Sequence, residues 1–338
     1  MGDIARAEDF GELLQRAVDW IDESDSCLVV GHYDPDGDSM GSTLALAAAL
    51  RELGKDVTAY NQDPVPYICE FLRGSDRVRH ELPDDAEFDL TFVLDCSSPD
   101  RVGSEFPQRG WGERTVVIDH HRTWDQEFAD LYLRDESAAA TGELVYDLLE
   151  ALELDITSDI AECLYCAVMT DTGGFRYSNT SKRTFQVAGE LLDAGVDPWR
   201  MASHVYESQP LKRIELLREV LETLRLSDCG RLAFIRIPRS IVEGVERPGE
   251  LTDGFINYGR SVRGVEVSTQ LRELEGAGWK VTFRSRGNVD VSKLAERFGG
   301  GGHHNAAGCE IYAEADDIEA SLESALVDLL DGDPESGA

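Results

Sequence analysis

The stretch Cys27–Asp38, CLVVGHYDPDGD, joins a short apolar run to a cluster of polar residues. The run Cys27–Gly31 has no polar alternation, which is typical of a strand that is buried on both faces of a sheet. The polar residues His32, Asp36 and Asp38 follow directly where this strand ends. The stretch therefore predicts a parallel sheet that carries chemically active side chains at its carboxyl edge.

Similar apolar runs recur along the first half of the chain and alternate with helical patterns. Further strands are predicted at Val57–Tyr60, Leu90–Leu94 and Thr115–Ile118. Helices are predicted at Ser42–Leu53, Thr141–Leu152, Ile160–Met169 and Thr184–Ala194. This alternation predicts an α/β fold, namely a doubly wound parallel sheet with helices on both faces.

A different pattern begins after residue 205. Apolar residues spaced three and four apart follow Pro210 and predict an amphipathic helix, which we assign to a helical linker at residues 206–229. Strands are then predicted at Arg231–Ile237, Val265–Leu271 and Trp279–Arg284, and helices at Val291–Arg297 and Ile318–Leu330. We expect an N-terminal domain at 1–205, a smaller C-terminal α/β domain at 230–330 and a frayed tail at 331–338.

Acids and histidines stand at the ends of several predicted elements. Because the carboxyl ends of parallel strands share one edge, we expect these side chains to converge there. The candidate metal ligands are His32, Asp36, Asp38, Asp95, His120 and Asp171. Carboxylates with a few imidazoles suit hard or borderline cations such as Mn²⁺ or Mg²⁺. Two such ions ~3.5–4 Å apart can clamp a phosphoryl group and activate water.

Each motif alone has an ordinary structural explanation. Asp-Pro-Asp-Gly is common turn chemistry, and we interpret Asp34 as a turn residue. An Asp that ends a strand is often a helix cap, and a histidine pair is often hydrogen-bonded in a core. The pair Cys163 and Cys166 lies in an apolar helical pattern and is interpreted as core packing rather than a zinc or redox site. The joint occurrence of the acids and histidines favours the metal site.

A second candidate site lies in the C-terminal domain. Arg284 and Arg286 are two residues apart, so they share one side of a strand. A glycine run, Gly299–Gly302, precedes His303. Consecutive glycines allow backbone N–H groups to crowd an anion, and guanidinium groups bind phosphate. A flexible loop is the alternative, but the run is bracketed by histidine and arginine in an otherwise acidic chain.

The charge of the chain limits its partners. The 338 residues include 66 acids and 32 bases, a net charge of −34. Only five of the bases are Lys, a composition similar to proteins of halophiles. A long polyanion, including long duplex nucleic acid, needs a broad basic face and is disfavoured. No apolar run is long enough to span a membrane, and the first ten residues form no signal peptide, so we expect a cytoplasmic protein.

These motifs resemble those of the DHH phosphoesterase superfamily. His32-x-x-x-Asp36-x-Asp38, Asp95, Asp119-His120-His121 and Asp171 match its four N-terminal motifs in order. Gly299–His303 with Ala306-Ala-Gly308 resembles the signature of its associated C-terminal domain. The compact layout is similar to the branch of nanoRNases, pAp phosphatases and cyclic-dinucleotide phosphodiesterases.

The resemblance implies a role for each matching residue. One cation, Mn²⁺ with Mg²⁺ or Co²⁺ as alternatives, is held by His32, Asp36 and Asp95. The second is held by Asp38, Asp95, His120 and Asp171, so that Asp95 bridges the two. A water activated by both attacks phosphorus, His121 contacts the scissile phosphate, and Asp119 orients His120. The nucleotide is held by Arg284, Arg286, Gly299, Gly300, Gly301, Gly302 and His303, which puts the substrate between the two domains.

The implied function is hydrolysis of very short oligonucleotides or small nucleotides such as pApA, pAp or cyclic di-AMP. A RecJ-like 5′–3′ exonuclease is the main alternative, although the chain has no length for further nucleic-acid-binding parts. A family II pyrophosphatase lacks the glycine-histidine signature, and a non-catalytic scaffold would have lost metal ligands. The sequence leaves the substrate, the direction of cleavage and the oligomeric state open, a homodimer included.

Overall fold

The computed structural model describes residues 10–104, 106, 111–121, 128–276, 278–287 and 289–331. The chain divides into two compact units, Met1–Ser208 and Gln209–Ala338. The expected tail beyond residue 331 lies outside the described residues. In the described part of the chain, no helix combines the length and apolar character that crossing a bilayer requires.

The first unit is built on a sheet of five strands among its described residues. The strand order is β2-β1-β3-β4-β5, and every neighbouring pair is parallel. The strands are β1 (Ser26–Val30), β2 (Asp56–Tyr60), β3 (Phe88–Leu94), β4 (Gly112–Asp119) and β5 (Leu131–Arg134). The helices are α1 (Phe10–Glu23), α2 (Gly37–Glu52), α3 (Thr141–Ala151), α4 (Ser158–Asp171), α5 (Lys182–Asp193) and α6 (Pro198–Ala202).

Both faces of this sheet are covered by apolar side chains, as the unalternating strands predict. On β1, Cys27 and Val29 belong to one core, whereas Leu28 and Val30 belong to the other. Burial on both faces explains why the strand sequence carries no polar residue at every second position. The predicted doubly wound α/β architecture is confirmed.

Helix α2 begins earlier than the sequence pattern suggests. The prediction starts it at Ser42, but Asp36 caps its N-terminus by accepting hydrogen bonds from the N–H groups of Asp38 and Ser39 at 3.0 Å each. The first turn therefore belongs to the helix, although its glycines and aspartates are typical of turns. The consequence is that Asp38 is fixed by helical geometry. Asp34 has a left-handed φ of 52° and is exposed, as expected of a turn residue.

Helices α2 and α4 pack at a glycine. A Cβ atom at Gly41 would lie 2.5 Å from the carbonyl oxygen of Cys163 and 3.0 Å from the amide nitrogen of Ala167. Only glycine permits this approach, which brings the start of α2 towards the end of α4. Cys163 and its neighbour Cys166 are buried in the core of the unit, in line with the packing interpretation.

The second unit contains a mixed sheet of six strands among its described residues. The order is β10-β11-β9-β8-β7-β6; β7 and β8 are parallel, and the other pairs are antiparallel. The strands are β6 (Arg225–Leu226), β7 (Leu232–Ile237), β8 (Val267–Glu273), β9 (Trp279–Ser285), β10 (Gly301–His303) and β11 (Ala306–Ile311). The helices are α7 (Leu211–Leu221), α8 (Arg239–Val242), α9 (Pro248–Thr252), α10 (Ile256–Ser261), α11 (Ser292–Arg297) and α12 (Ala315–Asp331).

The amphipathic helix after Pro210 is α7. Its residues Leu216 and Val220 are buried with Ile235, Ile237 and Phe255 in a core of the second unit. The chain divides just before it, after Ser208. The limits of the linker and of the two domains stay a prediction.

Several strands and helices were not predicted from the sequence. The sequence analysis predicts no secondary structure for the glycine run, yet Gly301–His303 forms a strand that pairs with Ala306–Gly308. Glycine has low strand propensity, so here the pairing partner overrides it. Helix α1 and strand β5 were also missed. The four-residue strand carries a weak pattern, whereas α1 is strongly amphipathic and its apolar periodicity was overlooked.

The approach of α2 and α4 generates a stability prediction. Gly41→Ala places a methyl group against backbone atoms of α4, and overpacking of this kind costs about 1–3 kcal/mol. The midpoint of thermal unfolding should fall. Gly189→Ala is the matched control, because this helical glycine has nothing within 4 Å of a Cβ. Alanine there should be neutral or stabilise by up to about 1 kcal/mol. Equal midpoints for both variants would show that the close approach is not required.

Candidate metal centre

The structure brings the predicted ligands together at the carboxyl edge of the first sheet. Each lies at or next to the end of a strand or helix, so the ends of these elements position all of them. His32 follows β1, Asp36 caps α2 and Asp38 lies in its first turn, Asp95 follows β3, His120 and His121 follow β4, and Asp171 ends α4.

The carboxylate of Asp95 stands at the centre of this cluster. Its Oδ2 lies 3.4 Å from Nε2 of His32, and its Oδ1 lies 3.6 Å from Nε2 of His120. Asp95 is 2% exposed, and its φ of 54° is in the left-handed region, which is strained for a residue other than glycine. One buried carboxylate therefore faces two imidazoles through two different oxygens.

Three overlapping groups of donor atoms surround Asp95. Within each group the ligand atoms lie within 4.8 Å of one another. The groups are His32, Asp36 and Asp95; Asp38, His120 and Asp171; and Asp95, His120 and His121. The first two match the two sets that the sequence analysis assigned to two cations, apart from the bridging role of Asp95 in the second set. Asp95 joins them through its contact with His120.

The two histidines are oriented by backbone carbonyls. Nδ1 of His32 lies 2.8 Å from the carbonyl oxygen of Tyr33, and Nδ1 of His120 lies 3.2 Å from that of Ala138. A ring whose Nδ1 donates to a carbonyl presents Nε2 as the lone-pair nitrogen. This tautomer suits a metal ligand, and in both rings Nε2 is the atom that faces Asp95.

The N-terminus of α3 holds two of the carboxylates, a feature that the sequence analysis missed. The N–H of Thr141 donates to Oδ2 of Asp38 at 2.7 Å, and the N–H of Gly142 donates to its Oδ1 at 3.0 Å. The hydroxyl of Thr141 donates to Oδ1 of Asp95 at 3.1 Å. The helix has no side-chain cap of its own at Ala140, so Asp38 satisfies its first amides. The sequence does carry one signal for this contact. A helix is predicted to begin at Thr141, and the N-terminus of a helix stabilises negative charge.

Asn179 is a second residue that the sequence analysis did not find. Its Nδ2 lies 2.9 Å from the carbonyl oxygen of Ala139, 3.2 Å from that of Asp171 and 3.5 Å from Oδ2 of Asp171. It therefore ties the end of α4 to the segment before α3. Nothing in its local sequence marks this role, since it acts mainly through carbonyls that every residue possesses.

The partner predicted for Asp119 is wrong. The sequence analysis has Asp119 orient His120, but Oδ1 of Asp119 lies 2.6 Å from Nδ1 of His121 and also accepts its backbone N–H at 3.2 Å. Residues two apart at a strand end lie on the same side, which explains the pairing. Asp119 is fully buried and positions His121, whereas the carbonyl of Ala138 positions His120.

Burial and mutual charge shift the pKa values of this cluster. Burial lowers the pKa of His32 and of His120, but neighbouring carboxylates outweigh it and raise both to about 9. Burial raises the pKa of Asp171 to about 7, and burial together with the charge of Asp95 raises that of Asp38. Burial would also raise the pKa of Asp95, but the hydrogen bond from His32 and the other histidines lower it. Without bound cations, the imidazoles of His32 and His120 therefore hold protons among these carboxylates.

The donor set fits two divalent cations. Oxygen and imidazole ligands suit hard or borderline ions. The thiols of the unit are buried and belong to none of the three donor groups around Asp95. The fit rests on Asp95, because its two oxygens face the two groups separately. Cations in these positions would replace the protons of His32 and His120 as the positive charge among the carboxylates.

The second unit places its predicted residues at one end of its sheet. Arg284 on β9 pairs across the strands with Ala306, and Ala306 pairs with His303 on β10. Arg284 is half-buried, and Arg286 is exposed just beyond the strand. The side chain of His303 lies outside the described residues. Arg284 and the backbone of His303 thus share one cross-strand row.

The glycine run serves the fold in ways that the sequence analysis did not foresee. The N–H groups of Gly299 and Gly300 donate to the carbonyls of Glu296 and Ala295, so they end helix α11 rather than crowd an anion. A Cβ atom at Gly300 would lie 2.1 Å from the carbonyl oxygen of Gly308. Gly301 differs, because a Cβ there would meet nothing within 4 Å.

Comparison with known proteins identifies the family. Residues 26–168 match the DHH family, N-terminal domain, and residues 247–329 match the DHHA1 domain. The chain is 37% identical to a protein of Thermus thermophilus named bifunctional oligoribonuclease and PAP phosphatase NrnA, over 84% of this chain and 83% of that one. The chain belongs to the DHH family. The predicted family and its hydrolase class are thereby confirmed.

Two further proteins resemble this DHH protein over nearly its whole length. The protein of the same name from Bacillus subtilis is 29% identical over 89% of this chain and 94% of that one. The crystal structure of an exopolyphosphatase-related protein from Bacteroides fragilis superposes with a TM-score of 0.83 at 27% identity, covering 94% of this chain and 97% of that chain. Each of these similarities thus extends over at least 89% of this chain.

The raised pKa values predict that cation binding releases protons. His32 and His120 titrate at about 9 without cations, so at pH 7.5 both are protonated and must lose a proton to coordinate. Cation affinity should therefore rise with pH up to about 9. Calorimetric titration with MnCl₂ in buffers of different ionisation enthalpy should report release of more than about one proton per chain.

His120→Gln should reduce this proton release, whereas His80→Gln should not. His80 is exposed and is absent from the three donor groups. Heats of binding that do not depend on the buffer would contradict the assignment of His32 and His120.

Proposed function

We propose that this DHH protein is a phosphoesterase that hydrolyses very short oligonucleotides and related small nucleotides such as pApA and pAp, using two divalent cations. The observation that carries the proposal is the buried carboxylate of Asp95, which faces His32 and His120 through separate oxygens. The relatives named oligoribonuclease and PAP phosphatase support the substrate class. We assign Mn²⁺ as the working ion, with Mg²⁺ or Co²⁺ as substitutes, because the donors are oxygens and imidazoles.

The residues would divide into two ligand sets. His32 and Asp36 would hold one cation, and Asp38, His120 and Asp171 the other, with Asp95 shared. When bound, two such ions hold phosphate oxygens and lower the pKa of an attacking water. Thr141 and Asn179 position the carboxylates of Asp95 and Asp171 through the contacts described above.

His121 is the candidate for moving a proton to the leaving oxygen. Its Nδ1 is engaged by Asp119, so Nε2 is the nitrogen that can serve a substrate. Burial lowers the pKa of His121, but the hydrogen bond to Asp119 and the charge of Asp95 raise it overall. A raised pKa keeps the imidazolium populated near neutrality, as a general acid requires.

The second unit would contribute the phosphate grip of the nucleotide. Arg284, Arg286 and the strand that carries Gly301 and His303 lie at one end of its sheet. Gly301 has open space where a side chain would stand, so a ligand could approach its backbone closely.

The charge distribution favours short substrates. Several arginines of the second unit are already paired with acids of the same unit: Arg225 and Arg236 with Glu319, Arg231 with Glu266, Arg239 with Glu275, and Arg247 with Glu250. The whole chain carries a net charge of −34. Each phosphate beyond the first few would meet acidic surface with little counterion release to gain.

A length series tests this proposal. Oligoribonucleotides labelled at the 5′ end, from two to about twenty-four residues, are assayed with Mn²⁺ at one high salt concentration, with pAp and cyclic di-AMP alongside. The rate should fall steeply beyond about five nucleotides, because added phosphates gain no contact. Molar salt should support activity by screening the repulsion among acids.

Two outcomes would contradict the proposal in different ways. A twenty-four-mer degraded processively and as fast as the dinucleotide would favour a RecJ-like exonuclease. No hydrolysis of any substrate despite bound cations would favour a non-catalytic role.

Arg286 generates a separate prediction about recognition. If Arg286 binds a terminal phosphate, Arg286→Ala should raise KM for pApA more than it lowers kcat, since the contact exists before the transition state. A hydrogen bond to a charged group contributes about 1.5–3 kcal/mol, or about ten- to a hundredfold in kcat/KM.

Hydrolysis of bis-p-nitrophenyl phosphate should suffer much less. Arg239→Ala is the matched control, because this arginine is exposed and paired with Glu275 on the surface of the same unit. Equal losses on both substrates would remove Arg286 from the binding role.

A further inference from the structure

The edge strand β2 ends in an amide, whereas three other strands of the first sheet lead to residues of the metal centre. Strand β1 leads to His32, β3 to Asp95 and β4 to His120, but Asn61 follows β2 directly. Because β1 and β2 are adjacent and parallel, Asn61 lies at the same edge of the sheet as His32. Asn61 is 1% exposed, and a buried amide needs hydrogen-bond partners for both its nitrogen and its oxygen. Its partners therefore show what it does at this edge.

Both polar atoms of the Asn61 side chain hold the turn that carries His32. Its Nδ2 donates to the carbonyl of His32 at 2.8 Å, and its Oδ1 accepts the N–H of Asp63 at 3.0 Å. The carboxylate of Asp63 in turn accepts the N–H of Asp34 at 2.7 Å. Asn61 therefore binds one end of the turn, residues 32–34, directly and the other end through Asp63.

The direction of the metal-binding nitrogen of His32 depends on this turn. Within the turn, Nδ1 of His32 lies 2.8 Å from the carbonyl oxygen of Tyr33, which leaves Nε2 to face Asp95 at 3.4 Å. The N–H of Tyr33 donates to the carbonyl of Arg101 at 2.7 Å. Asp34 has a left-handed φ of 52°, and such a conformation persists only where the surroundings enforce it. Contacts to the backbone of the turn thus reach the imidazole within one residue.

The other ligand set is held by a different part of the chain. The contacts described above for Asp38, His120 and Asp171 come from residues 138–142 and from Asn179. None of those contacts involves Asn61, and none of the contacts of Asn61 reaches those three ligands. The two sets therefore share Asp95 but have separate supports.

We infer that Asn61 is a positioning residue that sets the affinity of one cation, here called the first cation, and leaves that of the other untouched. The first cation is the one assigned to His32, Asp36 and Asp95, so the inference rests on the proposed function. An amide suits this position, because it donates to one backbone group and accepts from another at the same time. Without it, the carbonyl of His32 and the N–H of Asp63 would lose their partners, and the turn would shift.

The test replaces the amide by an apolar side chain of similar size, in Asn61→Leu. Binding of Mn²⁺ is titrated and followed by electron paramagnetic resonance, in which free ions, single bound ions and a spin-coupled pair give different spectra. The unaltered protein should bind two ions as a coupled pair. In Asn61→Leu one binding step should weaken by about ten- to a hundredfold, because partners that orient a metal ligand contribute about that much to affinity. The other step should not change, and at Mn²⁺ concentrations that fill only this step the coupled spectrum should be absent.

Further variants assign the weakened step to a ligand set. His32→Gln removes a ligand of the first cation, so Asn61→Leu added to it should weaken neither step further. Asn179→Leu removes the same type of side chain from the support of the other set, so it should weaken the step that Asn61→Leu leaves unchanged. Asn305→Leu is the matched control. Asn305 donates to the carbonyl of Gly287 in the second unit, which contributes to none of the three donor groups, so both steps should keep their affinities.

Activity gives a second readout of the positioning role. Asn61→Leu should raise the Mn²⁺ concentration for half-maximal hydrolysis of pApA about ten- to a hundredfold, while kcat at saturating Mn²⁺ stays close to that of the unaltered protein. Asp63→Ala tests the same role if Asn61→Leu does not fold. It removes only the indirect contact with the N–H of Asp34, so it should weaken the same binding step by a smaller factor.

The outcomes separate this inference from the proposed function. Equal weakening of both steps, weakening of neither, or weakening of the step that Asn179→Leu also affects overturns the role of Asn61 even where pApA is hydrolysed. A kcat that stays low at saturating Mn²⁺ overturns it as well, since a general loss of structure would have that effect. Selective weakening of the first cation without hydrolysis of any substrate overturns the proposed function and leaves the positioning role standing. A single ion bound by the unaltered protein overturns both.

Discussion

The buried carboxylate of Asp95 is the interaction on which the rest of this site depends. Its two oxygens face His32 and His120, and the hydroxyl of Thr141 holds it from a third side. The residue follows β3 in a left-handed conformation that the surrounding structure must stabilise. Because a buried charge of this kind is costly without partners, the strands and helices around it are arranged to supply them.

Three helices supply those partners by their ends rather than by their faces. The start of α2 carries Asp38, the start of α3 binds that carboxylate through the amides of Thr141 and Gly142, and the end of α4 carries Asp171. Gly41 lets α2 and α4 approach closely enough for this. The helix N-terminus is positive and the acids are negative, so packing and electrostatics act in the same direction. Cations bound at the site would add to the stability of the first unit, since they replace repulsion among its carboxylates.

Much of this arrangement could be predicted from sequence, and the limits have physical causes. Strands with no polar alternation that end in His32, Asp95 or Asp119 predicted both the parallel sheet and the cluster at its edge, because the edge rule is general. The partner of Asp119 was mispredicted, although the alternation of side chains along a strand places residues 119 and 121 on the same side. Ala138 and Asn179 were missed because they act through, or on, backbone carbonyls.

The glycine run shows the opposite limit. Local propensity predicts a loop for Gly299–Gly302, but Gly301 and Gly302 pair with β11, and Gly299 and Gly300 end a helix. Such roles depend on strands and helices elsewhere in the chain, which no local pattern reveals.

The central claim is that Asp95 bridges two cations, and anomalous diffraction from crystals soaked in MnCl₂ tests it most directly. Data collected at the manganese edge should show two peaks in the first unit, ~3.5–4 Å apart, with one oxygen of Asp95 within bonding distance of each. A single peak, or two peaks of which only one contacts Asp95, would contradict the account.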